Sequence, residues 1–264
     1  MTTVNFWNGN KSSARQGYET ELLQACLAAT ATDWGPAQLH IDNTDYPRAE
    51  DEGNIFSAGA DILVTVAGNQ KFKDKQKIIL PRPLAKGLLG YRLIITRTES
   101  LGRFQALTEA TALQALAIGI PATWADAEIF RLNSYCVVER GSFDDLFQLL
   151  KTGAFDYTSL GANEIEAAFA QRAEPLGGLS IEPTAMIYYP LPLVFYVNPA
   201  KPDLAKLVEA GLTALMASGE HDALFRKHHG DVVQRLGLRE RKVFTLCNPF
   251  LPPEMADFTP TLLD

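Results

Sequence analysis

Aromatic, amide and acidic side chains cluster directly after several strands that the sequence predicts. In open α/β sheets, ligands bind beyond the carboxyl ends of the strands, so side chains at these positions can reach a ligand. Tryptophan and tyrosine offer flat apolar faces with a polar edge, and asparagine and aspartate form directional hydrogen bonds. Together these residue types are typical of a small-molecule pocket. The segments that combine them are residues 7–10, 67–69, 123–126, 159–164 and 188–189.

These segments supply most of the candidate ligand-binding residues, and a lysine-rich loop and a later strand add one cation each. The candidates are Trp7, Asn8, Asn69, Lys73, Arg92, Trp124, Asp126, Asn163, Glu164, Tyr188 and Tyr189. Structural alternatives exist for single residues. The two tryptophans could belong to the core, Asp126 could only cap a helix, and the paired tyrosines could be packed strand residues. We expect several of the candidates to share one site.

The sequence lacks the motifs that identify common catalytic and cofactor sites. It contains no G-x-S-x-G, H-E-x-x-H, P-loop or G-x-G-x-x-G pattern, so no catalytic residue and no cofactor is predicted. Asp126 with Glu164 is the one acid–base pair that an enzymatic role could use. His221 and His228 could share a helix face, but a metal site needs further ligands. We interpret both histidines as residues of a solvated helix face and expect no metal.

Composition and charge exclude several classes of protein. The 264 residues carry a formal net charge of −7, with 47% apolar and 21% charged residues, as in ordinary globular proteins. The acidic balance is opposite to that of most nucleic-acid-binding proteins, so no nucleic-acid partner is expected. The chain is near the upper size for a single hydrophobic core, which is compatible with two lobes.

Cysteine usage and hydropathy add two expectations. Cys26, Cys136 and Cys247 lie among apolar residues and form no C-x-x-C pair, so we expect three buried free thiols. No run of 18 apolar residues occurs, so no transmembrane helix is predicted.

Alternating strands and helices dominate the predicted secondary structure. Strands are expected at residues 4–7, 38–41, 62–66, 77–83, 91–97, 116–120, 136–138, 155–157 and 243–246, with one long extended segment over 187–197. Helices are expected at residues 15–29, 163–172, 204–216, 222–227 and 232–236. Thr123 and Ser142 are expected to cap two more. This alternation predicts an α/β fold with a mostly parallel sheet and helices on both faces.

A series of short motifs follows a fixed order over most of the chain. They are GY (17–18), ELL (21–23), AGADI (58–62), KGLLGYR (86–92), WAD (124–126), LFQLL (146–150), FDY (155–157), ANE (162–164), YPLP (189–192), LF (224–225) and LCNP (246–249). In this order they resemble the extracellular solute-binding proteins of family 3. These form the periplasmic binding protein type II group, which includes amino-acid-binding components of ABC transporters. The similarity is greatest to a branch with a G-L-L-G-Y-R segment.

The resemblance implies a two-lobed α/β fold of the periplasmic binding protein type II class. Each lobe would contain a mixed, mostly parallel sheet flanked by helices, and two crossover strands would join the lobes. Residues 1–97 and 195–264 would form the first lobe, and residues 98–194 the second. A small solute would bind between the lobes, which would close over it like a hinge. No reaction would take place, and we expect a monomer without a cofactor.

The resemblance also implies partners and a location. The first interpretation is the substrate-binding component of an ABC-type transporter, which delivers an amino acid or another small polar solute to a membrane permease. The alternative is a ligand-sensing module of the same fold that acts on a signalling partner, and a third is an enzyme on a related fold. We expect a periplasmic or extracytoplasmic protein whose signal peptide is absent from this chain, or a cytoplasmic protein if Met1 is native.

Two positions depart from the pattern of the amino-acid-binding members. Those proteins carry an arginine after the third strand that grips the ligand carboxylate, whereas this chain has Lys71, Lys73 and Lys75, and lysine lacks the planar fork. They also carry an aspartate for the ligand's amino group, where this chain has the neutral Asn163 beside Glu164. Because aromatic faces combined with acids favour cations, we hypothesise a small polar, cationic ligand held by the aromatic candidates with an acid.

Overall fold

The computed structural model describes residues 2–46 and 48–263, and the chain divides into two compact units. Unit 1 consists of Met1–Ala85, Leu193–Asp231 and Pro252–Asp257. Unit 2 consists of Lys86–Pro192, Val232–Leu251 and Phe258–Asp264. Each unit is therefore assembled from segments that are distant in the sequence.

The strands and helices alternate along most of the chain. The strands are β1 (Thr2–Trp7), β2 (Ala37–Asp42), β3 (Ile62–Val66), β4 (Ile78–Leu80), β5 (Tyr91–Arg97), β6 (Ala117–Ile120), β7 (Cys136–Glu139), β8 (Tyr157–Gly161), β9 (Leu179–Tyr188), β10 (Leu193–Val197) and β11 (Lys242–Thr245). The helices are α1 (Ser13–Ala29), α2 (Ala31–Trp34), α3 (Ala49–Gly53), α4 (Leu101–Gln105), α5 (Ala110–Gln114), α6 (Asp126–Leu132), α7 (Leu146–Lys151), α8 (Ile165–Ala168), α9 (Pro202–Ser218), α10 (Glu220–His229) and α11 (Val232–Arg235). In the described residues, no helix is long and apolar enough to cross a membrane.

The sheet of unit 1 has five strands in the order β2-β1-β3-β10-β4. β1 pairs in parallel with β2 and β3, and β10 runs antiparallel to β3 and β4. β10 is buried along its whole length, which its apolar sequence LVFYV explains. The carboxyl ends of β1 and β3 therefore meet at one edge, as the parallel pairing requires.

Helix α1 packs closely against α9 in unit 1. The Ser12 side chain accepts a hydrogen bond from the Arg15 N–H and caps the start of α1, while Gly219 ends α9 in the left-handed conformation, with φ of 83°. A Cβ atom on Gly211 would lie 2.2 Å from the Cys26 carbonyl oxygen. The close approach of the two helices thus depends on glycine at this position.

The sheet of unit 2 has six strands in the order β11-β9-β5-β8-β6-β7. β6 pairs in parallel with β7 and β8, whereas β5 runs antiparallel to both β8 and β9. The carboxyl ends of β6, β8 and β9 therefore lie at the same edge as the first residues of β5. This edge carries the site described below.

Several predicted elements agree closely with the structure. β3 and β5 have the predicted bounds, and α1 and α9 each extend about one turn or less beyond the predicted helices. Long amphipathic stripes and continuous β-branched runs carry a strong local signal, which explains this agreement. Gly153 lies two residues after the end of α7 and has a left-handed backbone with φ of 80°, as predicted for the glycine that ends this helix.

The predicted extended segment over residues 187–197 is not one element: it contains the end of one strand and the whole of another. The chain forms β9 in the sheet of unit 2, leaves it at residues 189–192, and then enters the sheet of unit 1 as β10. The two prolines of this connection cannot donate to a strand ladder, which is the physical reason for the break.

Three predicted helix starts also need correction. Thr123 does not cap a helix: it has a left-handed backbone with φ of 71°, and α6 begins only at Asp126. The Ser142 hydroxyl does accept a hydrogen bond from the Asp145 N–H, but a turn precedes α7. The predicted helix over 163–172 consists of the short α8 followed by a π-helical turn at Phe169–Ala173.

The thiols and histidines differ from expectation. Cys26 is a buried free thiol as predicted, but Cys136 and Cys247 are exposed, because they lie on a sheet edge and in the segment after β11. His221 is buried, and its Nε2 lies 2.9 Å from the Leu84 carbonyl oxygen, so it does not belong to a solvated face.

Three segments of the predicted first lobe, residues 86–97, 232–251 and 258–264, lie in unit 2 of the structure. β5 belongs there because it pairs with β8 and β9, and residues 232–251 belong there because β11 pairs with β9. Strand pairing over long sequence separations decides the first two assignments, and periodicity within a segment carries no information about it.

Candidate ligand-binding site

A buried arginine forms the centre of the candidate site in unit 2. Arg92 is 2% exposed, and its Nη2 atom lies 2.8 Å from Asp126 Oδ1. Its Nη1 atom lies 3.9 Å from Glu164 Oε1. The Tyr189 hydroxyl donates a hydrogen bond to the same Asp126 oxygen. We refer to Arg92, Asp126, Glu164 and Tyr189 as the Arg92 cluster.

The topology of the second sheet brings these four residues together. Arg92 is the second residue of β5 and pairs with Gly161, the last residue of β8, and with Ile187 near the end of β9. Glu164 follows β8 by three residues, and Tyr189 comes directly after β9. Asp126 opens α6 beyond the end of β6, which runs parallel to β8. One edge of the sheet therefore collects side chains from four separate segments.

Electrostatics keep the arginine charged although it is buried. Burial opposes the charge, but Asp126, Tyr189 and Glu164 together outweigh it and raise the pKa of Arg92 above its ordinary value. Desolvation raises the pKa of Tyr189 well above its ordinary value, so the phenol stays protonated and donates to Asp126. The cluster holds one cation between two acids, so it carries one net negative charge when both carboxyl groups are ionised.

Several polar atoms at this edge have no hydrogen-bond partner. Arg92 uses Nη2 for the Ser159 carbonyl oxygen at 3.3 Å and Nη1 for the Leu89 carbonyl oxygen at 3.5 Å. In the described part of the chain, its Nε atom, Asn163 Oδ1 and the Tyr188 hydroxyl are buried without a partner. Buried polar atoms are normally satisfied, so unpartnered ones at one edge indicate a place where another molecule or water completes the bonding.

Aromatic side chains flank the cluster in the sequence. The Tyr188 ring lies against Tyr91 at a centroid distance of 4.8 Å, and each is a neighbour of a cluster residue along the chain. The Trp124 ring stacks on the Phe143 ring with a centroid distance of 5.4 Å. The Arg172 guanidinium lies over Phe143, 4.8 Å from the ring centroid. These faces can contact a flat or cationic group.

Two candidates of unit 1, Trp7 and Asn8, are buried at the end of β1. Trp7 donates from Nε1 to the Thr44 carbonyl oxygen at 2.9 Å. Asn8 donates from Nδ2 to the Gln16 carbonyl oxygen and to Thr20 Oγ1, each at 3.0 Å. The donor of Trp7 thus holds the segment after β2, and those of Asn8 hold α1. A role of either residue in ligand binding stays a prediction.

The other two candidates of unit 1 differ in exposure. Asn69 is buried and donates to Thr65 Oγ1 at 2.8 Å and to Glu52 Oε1 at 3.3 Å, while Glu52 also accepts from Lys71 at 2.7 Å. Lys73 is exposed at the end of a short helical turn. A contact of either residue with a ligand stays a prediction.

A second buried ion network in unit 1 was not among the predicted residues. Lys11 Nζ lies 2.7 Å from Glu19 Oε2, Arg15 Nη2 lies 2.7 Å from Glu19 Oε1, and Lys11 also donates to the Val64 carbonyl oxygen at 3.0 Å. Burial lowers the pKa of the Lys11 ammonium. The sequence signal was the spacing of Arg15 and Glu19, four residues apart on one helix face.

The two acids of the cluster are engaged with its cation. Asp126 and Glu164, the acid pair that an enzyme could use, both face Arg92 and are ion-paired with it. Within the described residues, no group of three or more histidine, cysteine, aspartate or glutamate side chains could hold a metal ion.

Comparison with known proteins finds similarity in structure alone. No protein-family model matches the sequence, and no curated protein matches it significantly. A histidine kinase sensor domain with similarity to periplasmic binding proteins superposes with a TM-score of 0.60 and 16% identity, over 87% of this chain and 96% of that one. An ancestral arginine-binding protein bound to glutamine superposes with a TM-score of 0.61 and 16% identity, over 87% of this chain and 99% of that one. A periplasmic His/Glu/Gln/Arg/opine family-binding protein from Silicibacter pomeroyi in complex with lysine has a TM-score of 0.61 and 11% identity. The superposition covers 88% of this chain and 98% of that one.

These similarities establish the class of fold. The chain has a periplasmic-binding-protein-like α/β fold, with a mixed sheet flanked by helices in each of its two units. At 11 to 16% identity these three structures carry no information about which solute this chain binds. A closer assignment has to come from the chemistry of the site.

Proposed function

We propose that the protein binds a small polar solute and that the Arg92 cluster of unit 2 contacts it. The observation that carries this proposal is the buried guanidinium of Arg92 between Asp126 and Glu164, beside polar atoms without partners. Burying three charges costs free energy even when they are paired, and proteins tolerate this cost most often at functional sites. Such a cluster at the carboxyl ends of strands therefore favours a binding site.

In this proposal the cluster residues have different roles. Arg92 and Tyr189 position Asp126, while Glu164 and Asn163 offer oxygen atoms to the solute. Trp124 and Tyr188 supply aromatic faces. Trp7, Asn8, Asn69 and Lys73 remain candidate contacts on unit 1.

The first biological context that we propose is solute uptake. The chain would act as the extracytoplasmic substrate-binding component of an ABC-type transporter and deliver its solute to a membrane permease. Support comes from structures of the same fold, among them an amino acid ABC transporter substrate-binding protein from Streptococcus pneumoniae bound to L-arginine. The role requires no cofactor and no catalysis.

A second context is ligand sensing, and one specific similarity favours it. The sensor domain of a histidine kinase has the same fold and aligns with 87% of this chain. In this case the solute would change the state of a signalling partner. Genes for a permease and an ATPase beside this gene favour uptake, whereas a gene for a kinase favours sensing.

Binding can be tested directly on the purified protein. Native mass spectrometry identifies small molecules that co-purify, and a thermal-shift screen compares amines, amino acids, organic acids and sugars. At least one class should raise the midpoint of unfolding, and Glu164→Gln should weaken its binding about tenfold. Glu166→Gln serves as the control, because Glu166 pairs with Arg235 at 2.8 Å and does not belong to the cluster.

Two outcomes would contradict the proposal. One is that no class of solute binds. The other is that a solute is turned over into a product, which would make the protein an enzyme.

A further inference from the structure

We infer that the Arg92 cluster accepts the ammonium group of an amine that carries no carboxylate. This inference rests on the proposed function, because it specifies the solute class for the same site. It depends on which atoms of the cluster are already engaged and which remain open.

The guanidinium of Arg92 is closed to an incoming carboxylate. A bidentate grip on a carboxylate needs two parallel N–H groups on one side of the guanidinium. Nη2 already faces Asp126 at 2.8 Å and the Ser159 carbonyl oxygen at 3.3 Å, and Nη1 faces the Leu89 carbonyl oxygen and Glu164. Nε is buried, and it offers one N–H at most.

Like charge also disfavours a carboxylate at this edge. An anionic solute near Arg92 would lie beside Asp126 and Glu164, whose combined charge exceeds that of the arginine. Side chains of Arg92, Asp126 and Glu164 are only 3%, 13% and 11% exposed, so solvent screens this repulsion weakly. Arg92 therefore acts as an internal counter-ion that positions two acids.

The atoms that remain open are hydrogen-bond acceptors. Asp126 uses Oδ1 for Arg92 and Tyr189, and Glu164 uses Oε1 for Arg92 and the Gly161 N–H. In the described residues, their other carboxylate oxygens form no hydrogen bond. Asn163 Oδ1 is likewise unpartnered. Three acceptors and one net negative charge suit an ammonium or guanidinium group, which carries donors alone.

An aromatic ring near the cluster in the sequence favours the same class. Trp124 is partly exposed and comes two residues before Asp126. Aromatic faces attract cations through the ring quadrupole. The same faces repel an anion.

Matched pairs of solutes give the sharpest test. Agmatine differs from L-arginine, and cadaverine from L-lysine, by the carboxylate alone. Isothermal titration calorimetry of the wild-type protein should show each amine binding at least about tenfold more tightly than its amino acid. Glu164→Gln should weaken amine binding about tenfold, whereas Glu166→Gln should leave it unchanged. A circular dichroism spectrum confirms that both variants fold.

The outcomes separate the inference from the proposed function. Tighter binding of L-arginine or L-lysine than of the matching amine overturns the inference, and so does binding restricted to organic acids or sugars. In both cases the proposed role in solute binding stands. Binding of no solute in the screen overturns both.

Discussion

Arg92 and Asp126 form a buried ion pair in which Nη2 and Oδ1 are 2.8 Å apart, although the two residues come from different elements of unit 2. The pair joins the start of β5 to the start of α6, 34 residues later in the chain. Its arginine side chain is 3% exposed, so almost no solvent can replace the carboxylate if it is removed. The pair therefore links the stability of unit 2 to its candidate site.

We expect Asp126→Asn to destabilise the protein by about 3 kcal/mol, because it leaves the buried Arg92 charge with one acid at 3.9 Å. Urea unfolding followed by circular dichroism measures the change. Asp203→Asn is the control: Asp203 forms an exposed pair with Lys206 at 3.1 Å and should cost less than about 0.5 kcal/mol. Equal losses in the two variants would show that the Arg92 pair contributes little.

Alkaline pH should destabilise the folded protein. Desolvation raises the pKa of Tyr135 to about 12 and the pKa of Tyr157 and Tyr189 well above the ordinary value near 10. A phenol with a raised folded-state pKa stays protonated, while the unfolded chain ionises above about pH 10. The stability contributed by these tyrosines is thus complete below pH 10 and declines as pH rises beyond it.

The alkaline decline can be assigned in part to one residue. Each buried tyrosine contributes a slope of about 1.4 kcal/mol per pH unit above its unfolded pKa. Tyr189→Phe should reduce the slope of the wild-type protein by about this amount between pH 10 and 11, measured by urea unfolding at each pH. The variant should also lose about 1 kcal/mol at neutral pH, because the hydrogen bond to Asp126 is gone. An unchanged slope would mean that Tyr189 ionises in the folded protein.

The sequence carries a signal for the residue types of the Arg92 cluster but none for their arrangement. Asp126, Glu164 and Tyr189 are candidates because acidic and aromatic residues after predicted strands are visible in a single sequence, and Arg92 is a candidate as a cation within a predicted strand. That Arg92 neutralises one of the two acids depends on the antiparallel pairing of β5 with β8 and β9. Pairing of this kind joins residues more than 60 positions apart, and no local pattern encodes it.

Local signals were sufficient where one segment decides its own structure. The continuous run ILVTV gave β3 its bounds, whereas the break between β9 and β10 at residues 189–192 was missed. The prolines at 190 and 192 set that break, because they cannot donate to a strand ladder, and β9 and β10 belong to different sheets. The buried Lys11 was missed for a related reason, since its partner Glu19 lies two turns into α1 and burial of the pair comes from packing.

Thiol labelling should distinguish the three cysteines. Cys136 and Cys247 are exposed, while Cys26 is buried and desolvation raises its thiol pKa to about 12. Because the thiolate is the reactive form, a disulfide reagent should modify two thiols quickly at pH 8 and the third only after urea is added. The absorbance of the thiolate that the reagent releases gives the number of cysteines modified in each phase. Rapid reaction of all three thiols in native buffer would show that α1 opens readily.

Replacement of Gly211 by alanine should separate helix propensity from packing. Alanine is favoured over glycine inside a helix by about 1 kcal/mol. In α9, however, the new Cβ would lie 2.2 Å from the carbonyl oxygen of Cys26 and 2.9 Å from its Cα, and both are backbone atoms of α1 that cannot move alone. We therefore expect Gly211→Ala to destabilise the protein by about 1–3 kcal/mol in urea unfolding.

Gly102 in α4 provides the matched control for this substitution. Apart from its chain neighbours and the backbone of α4, no atom of the described residues lies within 4 Å of the Cβ position at Gly102. Gly102→Ala should therefore gain helix propensity and raise stability by up to about 1 kcal/mol. Both substitutions add the same methyl group, so opposite signs would point to the contact between α1 and α9. Stabilisation by both variants would mean that these helices separate at little cost, and the close packing of Gly211 on Cys26 would then contribute nothing to unit 1.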